Sequence, residues 1–374
     1  MNYSIASLMK NEIIKLYRKK KILICVIVAV IASIWLIVSG IGNNIENDRF
    51  QLKNAQGDLS KAASVEEKKS LEDAVSGLKK SIAQYELSVN APMKEVKENY
   101  NKQIMDLNSE KEKSSNHYKT LIIDSNINFI KYLDENNLRP TNEIQLDSNG
   151  RMKNAIGVFS ILAIIITLII ASDMVSSEFA SGTIKVLITR PVSRFKIILS
   201  KFIISTVICS LFVLTAEIIV YLLTGLIKGF ATLNYPEKVY PVLGDSNISP
   251  MIPEWKLFIY SFILQVLFIA CLSAFFIMMS SLIKNNLYIA VLSVFIIAVG
   301  FSFRIFEGLK FCSGLLFTGY FDCINIVNRK MQMDSGASYV SVGEAIIVLV
   351  LYTAAFLFVS KRKIEARDVE VTAA

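Results

Sequence analysis

Apolar residues along this chain are gathered into long blocks that charged stretches separate. Six blocks are nearly free of charge and, at about 1.5 Å per residue, long enough to cross the ~30 Å hydrocarbon core of a bilayer. The pattern therefore predicts an all-α polytopic membrane protein with six transmembrane helices. The first helix is expected at 22–42, and the other five lie within 154–360. Their apolar cores are residues 155–172, 202–227, 257–283, 287–303 and 339–360.

The first apolar block has two readings, because basic residues precede it as they do in a secretory signal peptide. Its apolar run is longer than the ~7–15 residues of a signal-peptide core, and no small-residue cleavage site follows Val38. We therefore expect a retained membrane helix, preceded over residues 1–21 by a helix at the cytoplasmic interface.

A shorter apolar stretch lies before the sixth block. Residues 309–327 are interrupted by glycines and by Asp322. Irregular backbone at membrane depth is tolerated only where protein or a water-filled cavity surrounds it. We expect a re-entrant or interfacial outer segment here, and no seventh span.

A polar insertion of residues 43–153 separates the first two spans. Residues 50–88 and 93–135 place apolar side chains at spacings of three and four, which is typical of amphipathic helices. Pro92 interrupts the pattern because proline lacks the N–H that a helix needs. The sequence predicts an extracytoplasmic antiparallel helical hairpin, about 60 Å tall at 1.5 Å per residue. It serves either as a binding surface or as a spacer that packs on itself or on a second copy.

Composition and charge agree with a membrane protein. Of the 374 residues, 53% are hydrophobic and 19% are charged, whereas a soluble domain has about 45–50% and 25%. The net charge of +8 comes from lysines and arginines in the pieces that are cytoplasmic when the N-terminus is inside, including the tail 361–374. Such a bias indicates cytoplasmic N- and C-termini and attraction to anionic lipids, not nucleic-acid binding.

Sequence motifs for catalysis or metal binding are missing. There is no G-x-x-x-x-G-K-[ST] loop, H-E-x-x-H, C-x-x-C or G-x-S-x-G. The single histidine, His117, has no second His or Cys nearby. We therefore expect no catalytic residue, no metal site and no cofactor on this chain. Cys312 and Cys323 share a predicted outer loop, where they either form a disulfide or stay as free thiols.

Two polar residues fall inside predicted spans. Glu217 and Gln265 lie about 12–15 Å below the outer ends of their helices at 1.5 Å per residue, so they can meet. Polar groups at that depth line a transport pathway or fix helix packing through a hydrogen bond. Both interpretations stay open at this point.

The loop between the second and third spans, residues 173–196, carries the signals of a short helix. Ser176 and Ser177 can cap its start with Glu178 in the first turn, Lys185 and Arg190 come late, and Pro191 ends it. The alternative is that the loop has no function beyond that of a tight charged connector between two hydrophobic helices.

This loop reads D-x-x-S-S-E-F-x-S-G-T-I-K-x-L-x-T-R-P-V-S-R-x-K, which resembles the signature of permease subunits of type 2 ABC exporters. The resemblance implies that the loop helix couples the membrane domain to a separate cytoplasmic ABC ATPase, which binds ATP and Mg²⁺. A second permease chain and a location in the bacterial cell membrane are implied as well. The residues that match the expected docking surface are Glu178, Gly182, Thr183, Lys185, Arg190, Pro191 and Arg194.

The long insertion departs from minimal members of that family, which keep this connection short. Members with large insertions are often linked to antimicrobial peptide resistance. We therefore expect an exporter of an amphipathic substrate, such as a peptide, an antibiotic or a lipid-like molecule. The alternative is a membrane sensor that does not transport, whose outer hairpin binds a peptide or an envelope partner.

Overall fold

The computed structural model describes residues 5–42, 45–59, 65–140, 147–180, 193–242, 251–283, 285–306, 310–335 and 340–372. Nearly all of these residues are helical. The elements are α1 (Ile5–Arg18), α2 (Lys21–Gly42), α3 (Ile45–Leu59), α4 (Val65–Val89), α5 (Met93–Glu112), α6 (His117–Glu135), α7 (Ser148–Ala171), α8 (Ser176–Ala180), α9 (Arg194–Lys228), β1 (Pro236–Glu237), β2 (Ile252–Pro253), α10 (Glu254–Leu282), α11 (Asn286–Ile305), α12 (Lys310–Ser313), α13 (Cys323–Val327), α14 (Lys330–Ser335) and α15 (Val342–Thr372).

Six helices are long and apolar enough to cross a bilayer, which confirms the predicted all-α membrane fold. The third span is longer than predicted, since α9 runs without a break from Arg194 to Lys228. The spanning segments are Lys21–Ser39, Ser148–Glu178, Arg194–Lys228, Glu254–Leu282, Asn286–Arg304 and Val342–Glu365.

Polar side chains fix where the last two spans begin. Asn285 Oδ1 accepts a hydrogen bond from the Leu287 N–H at 2.9 Å and so caps α11. At the start of α15, Ser341 Oγ accepts from the Glu344 N–H at 3.2 Å, and Glu344 Oε2 accepts from the Ser341 N–H at 2.8 Å. This reciprocal capping box explains an acidic residue at the beginning of an apolar helix.

The described part of the predicted re-entrant segment, residues 310–327, consists of short pieces. A 3₁₀ turn over Phe317–Tyr320 lies between α12 and α13. Tyr320 is buried and donates a hydrogen bond to the Gly314 carbonyl at 2.5 Å. Gly319 needs to be glycine, because a Cβ there would lie 2.1 Å from the Ser313 carbonyl oxygen. No spanning helix is found in this stretch, as predicted.

The chain divides into two compact units. The first comprises Met1–Ala32, Ala155–Ile218 and Lys256–Ala374, and the second comprises Ser33–Asn154 and Ile219–Trp255. Within the second unit, β1 and β2 form a two-residue antiparallel pair that matches Pro236 with Pro253.

Helices α3 to α6 of the second unit form two successive antiparallel pairs. Arg49 of α3 contacts Glu86 of α4 at 3.0 Å. In the other pair, Lys111 of α5 contacts Asp124 of α6 at 2.5 Å. The core beneath these helices contains Val96, Tyr100, Ile130, Leu133 and Tyr235.

The structure therefore does not confirm the predicted hairpin of two long arms. Pro92 separates α4 from α5 as predicted, but each arm is itself divided. The second arm breaks because Asn116 accepts hydrogen bonds from the N–H groups of Tyr118 at 2.9 Å and Lys119 at 3.3 Å. That cap starts a new helix at His117 and turns the chain back on α5.

Candidate functional site

A buried lysine of the first unit contacts residues at the start of the loop between the second and third spans. Lys201 in α9 is only 1% exposed. Its Nζ donates to Glu12 Oε1 at 3.1 Å, to Glu178 Oε1 at 2.7 Å and to the Met174 carbonyl at 2.9 Å. A buried ammonium is tolerated only when partners of this kind surround it.

A second lysine completes the cluster. Lys15 in α1 contacts Glu12 Oε1 at 2.9 Å and Glu178 Oε1 at 2.5 Å. Two carboxylates thus share two ammonium groups, and we call Glu12, Lys15, Glu178 and Lys201 the loop-base network. Its charges cancel, which lets Glu12 and Glu178 be only 7% and 4% exposed.

The network changes the acidity of its members in α1. Burial alone would raise the pKa of Glu12, but the positive charges of Lys201 and Lys15 outweigh it, and the net effect lowers this pKa. Burial alone would lower the pKa of Lys15, but Glu178 and Glu12 outweigh it, and the net effect raises this pKa. Both shifts favour the charged forms and so preserve the ion pairs.

Asp173 forms a second link between the amino-terminal helices and the loop. Lys19 Nζ contacts Asp173 Oδ2 at 3.0 Å and Ser177 Oγ at 3.1 Å. Lys21, the first residue of α2, also donates to Asp173. Residues 173–178 are therefore held by charges from α1 and from the start of α2.

The other side of the loop base is tied to α10 and α11 by neutral hydrogen bonds. Ser280 Oγ accepts from the N–H groups of Val175 at 3.1 Å and Ser176 at 2.9 Å. The Ser176 hydroxyl contacts Asn286 Oδ1 at 2.5 Å. Ser280 thus satisfies N–H groups that α8 leaves unpaired at its start.

Of the predicted docking residues, Glu178 and Arg194 lie in the described part of the chain. Glu178 is 4% exposed and lies in the loop-base network. Arg194 is the first residue of α9. The remaining predicted residues lie outside the described ranges, namely Gly182, Thr183, Lys185, Arg190 and Pro191.

Sequence reasoning missed Glu12, Lys15 and Lys201 as members of one site. The available signal was Lys201 itself, a lysine in a stretch that is otherwise apolar or small from Ile197 to Leu214. A charge in such a stretch needs a partner. The sequence alone does not tell that the partner comes from α1.

The structure brings Glu217 and Gln265 together. Gln265 Nε2 donates to Glu217 Oε1 at 2.9 Å and to Ser160 Oγ of α7 at 3.0 Å. Both Glu217 and Gln265 are 0% exposed. Among the described residues, the Glu217 Oε2 and Gln265 Oε1 atoms have no hydrogen-bond partner. The spanning helices α7, α9 and α10 thus meet at one polar site. Two of its oxygen atoms have no hydrogen-bond partner among the described residues.

Cys312 and Cys323 do not form the disulfide that was one of the two sequence-based alternatives. Both are free thiols, and Cys323 is completely buried. The Cys323 thiol lies 3.7 Å from the Tyr320 carbonyl oxygen and 3.5 Å from that of Phe321. Cys323 is therefore held as a small buried side chain within its own turn.

The sequence of this chain is similar to those of known proteins. A family model described as "ABC-2 family transporter protein" matches residues 6–369, nearly the whole chain. This chain belongs to the ABC-2 transporter family. The chain is also similar to the protein named "Uncharacterized protein YhcI" of Bacillus subtilis (strain 168), with 53% identity over 45 residues. That match covers 12% of this chain and 14% of the relative.

Membership in the ABC-2 family makes this chain a membrane permease subunit of an ABC transporter. Permeases of this family work with an ABC ATPase and lie in the bilayer. The loop-base network connects the start of the loop between the second and third spans to α1 and α9.

Proposed function

We propose that this ABC-2 permease exports an amphipathic substrate and is driven by a separate ATPase that docks on residues 173–196. In this proposal the loop and both termini are cytoplasmic, and a second permease chain completes the transporter. The docking residues are Gly182, Thr183, Lys185, Arg190, Pro191 and Arg194, and the predicted docking residue Glu178 connects them to α1 and α9 through the loop-base network. The ATPase supplies the ATP and Mg²⁺ sites, and this chain carries neither.

The loop-base network is the observation that carries the proposal. Glu178 stands at the base of the loop and Lys201 lies near the start of α9, joined at 2.7 Å. Because a buried ion pair is costly to break, a push on the loop moves α9 and α1 with it. ATP-dependent movement of the ATPases would in this way shift the spans between two conformations.

The test uses the permease with its ATPase in liposomes and measures ATP hydrolysis and substrate export separately. Lys201→Met should reduce export strongly while the ATPase still co-purifies and still hydrolyses ATP. The matched control is Lys228→Met, at the far end of the same helix α9, which should leave both activities unchanged.

Unchanged export in the Lys201→Met variant would contradict the coupling role of the network. ATP hydrolysis that responds to a peptide without any export would favour the sensor alternative instead. Loss of ATPase binding in Arg190→Ala, with Lys228→Met again as control, would support docking on the loop.

A further inference from the structure

The second unit contains an open groove between α4, α5 and α6. Its volume is about 690 Å³, within the range of ~300–1,000 Å³ that small-molecule sites occupy. The apolar lining residues include Leu107, Phe129, Ile130 and Leu133, which we call the apolar side of the groove. Ile130 and Leu133 also belong to the buried core of this unit, so the apolar side of the groove is an extension of packed structure.

The charges around the groove are mostly positive. Lys80 of α4, Lys102 of α5 and Lys238 after β1 all line it, and Asp106 is the one acidic lining residue among those that the structure describes. The three lysines come from three separate chain segments. Their convergence on one groove attracts anions.

Lys238 is the least exposed of these three lysines. Its Nζ lies 4.7 Å from the centroid of the Phe129 ring and donates to Asn126 Oδ1 at 2.9 Å. Burial lowers the pKa of Lys238, and the nearby Glu237 offsets part of this effect. Glu237 itself is paired with Lys153 at 2.5 Å. Within the described part of the groove, the Lys238 ammonium thus contacts a neutral amide and an aromatic ring.

We propose that this groove binds a single-chain amphiphile with an anionic head group. The head group lies among Lys80, Lys102 and Lys238, and the apolar chain lies along Phe129 and Leu107, which are both partly exposed. Charge complementarity selects this occupant, because a cationic peptide or amphiphile would meet like charges. The apolar side excludes a free anion as the best ligand, since it would leave that surface uncovered.

The binding assay uses the full chain in nanodiscs of zwitterionic lipid, with signal from empty nanodiscs subtracted. The probe is dansyl-aminoundecanoic acid, whose emission rises in an apolar site. Dodecanoic acid and dodecyl phosphate should both displace it, and their ratio tells a carboxylate from a phosphate preference. Dodecyltrimethylammonium, which has the same chain length and the opposite charge, should not displace it.

Variants should change the affinity in both directions. Lys238→Gln should weaken binding about tenfold, because its ammonium is partly desolvated. Lys80→Gln and Lys102→Gln should each weaken it about two- to fivefold, since these lysines are exposed. Asp106→Asn should tighten binding by about the same factor. Lys131→Gln, an exposed lysine of α6 outside the groove, is the control and should have no effect.

Probe binding no greater than in empty nanodiscs would overturn the proposal, and so would equal displacement by the cationic analogue. Gain of affinity in Asp106→Asn tests the charge argument in a variant that loses no buried contact. The assay needs no ATPase, so its failure would leave the proposed export function standing.

Discussion

Lys201 Nζ lies 2.7 Å from Glu178 Oε1, although the two residues are 23 positions apart in sequence. Glu178 lies near the start of the loop and Lys201 follows its end, so this ion pair connects the two ends of the loop. Glu12 and Lys15 of α1 complete the arrangement, so that a helix far away in sequence shares the same charges.

The network should respond to substitution as a unit. Lys201→Met leaves Glu12 and Glu178 with Lys15 as their remaining network cation, and we expect it to lower the free energy of unfolding by about 3–5 kcal/mol. Adding Glu178→Gln restores charge balance and should recover a large part of that loss. The measurement is unfolding in mixed micelles, arranged as a double-mutant cycle. Lys228→Met serves as control, and strictly additive effects would contradict the idea of one network.

Stability should depend on pH through Glu12. Its pKa is lowered in the folded chain from the ordinary value of 4.5, since Lys201 and Lys15 outweigh the effect of burial. A carboxyl group of this kind stabilises the fold above its unfolded-state pKa, and the stabilisation disappears as the pH falls through the folded-state pKa. We therefore expect the melting temperature to decrease as the pH falls below about 4.5. This decrease should be less steep in the Glu12→Gln variant. Identical pH profiles for the two proteins would show that Glu12 does not contribute.

Variants at the buried polar site in the spans can distinguish two roles of Glu217, namely lining a transport pathway and fixing helix packing. Gln265→Leu removes the amide that donates to Glu217 at 2.9 Å and should cost about 1–3 kcal/mol, because a buried acceptor loses its donor. Glu217→Gln keeps a hydrogen-bonding group and should cost less. Export assays then decide the role, since unaltered substrate range and pH response in Glu217→Gln would leave packing as the function of the pair.

The two cysteines of the segment before the last span should differ in reactivity. Cys312 is partly exposed and Cys323 is buried, and both are free thiols. We expect a membrane-impermeant maleimide to label Cys312 and to leave Cys323 unmodified until the protein is denatured. Mass spectrometry of the alkylated peptides gives both results at once. Recovery of a peptide linking the two residues without added oxidant would contradict the structure.

The spans and their interruptions could be predicted because they depend on local physics. Each of these signals affects the backbone at its own position in the sequence. They are the uncharged runs, the missing N–H of Pro92 and the glycines of residues 309–327. The meeting of Glu217 and Gln265 was also predictable, because few polar residues lie at that depth and helix rise fixes their height. The break before α6 carried a signal in Asn116, which the amphipathic pattern on both sides concealed.

The loop-base network could not be predicted in the same way. Glu12 and Lys201 are 189 residues apart, and no local pattern pairs one particular glutamate with one particular lysine. Lys15 is one of several basic residues near the first span, where the positive-inside bias alone accounts for them. The groove in the second unit depends likewise on Lys238 reaching Phe129, a contact between distant segments.

The order in which the ribosome makes this chain has a consequence for Lys201. Glu12, Lys15, Met174 and Glu178 all precede it, and chains emerge from the amino terminus first. The carboxylates that neutralise the lysine are therefore already made when α9 is inserted. Lys201 is thus made after its counterions, and the loop-base network can be complete before residues 256–374 of the first unit are made.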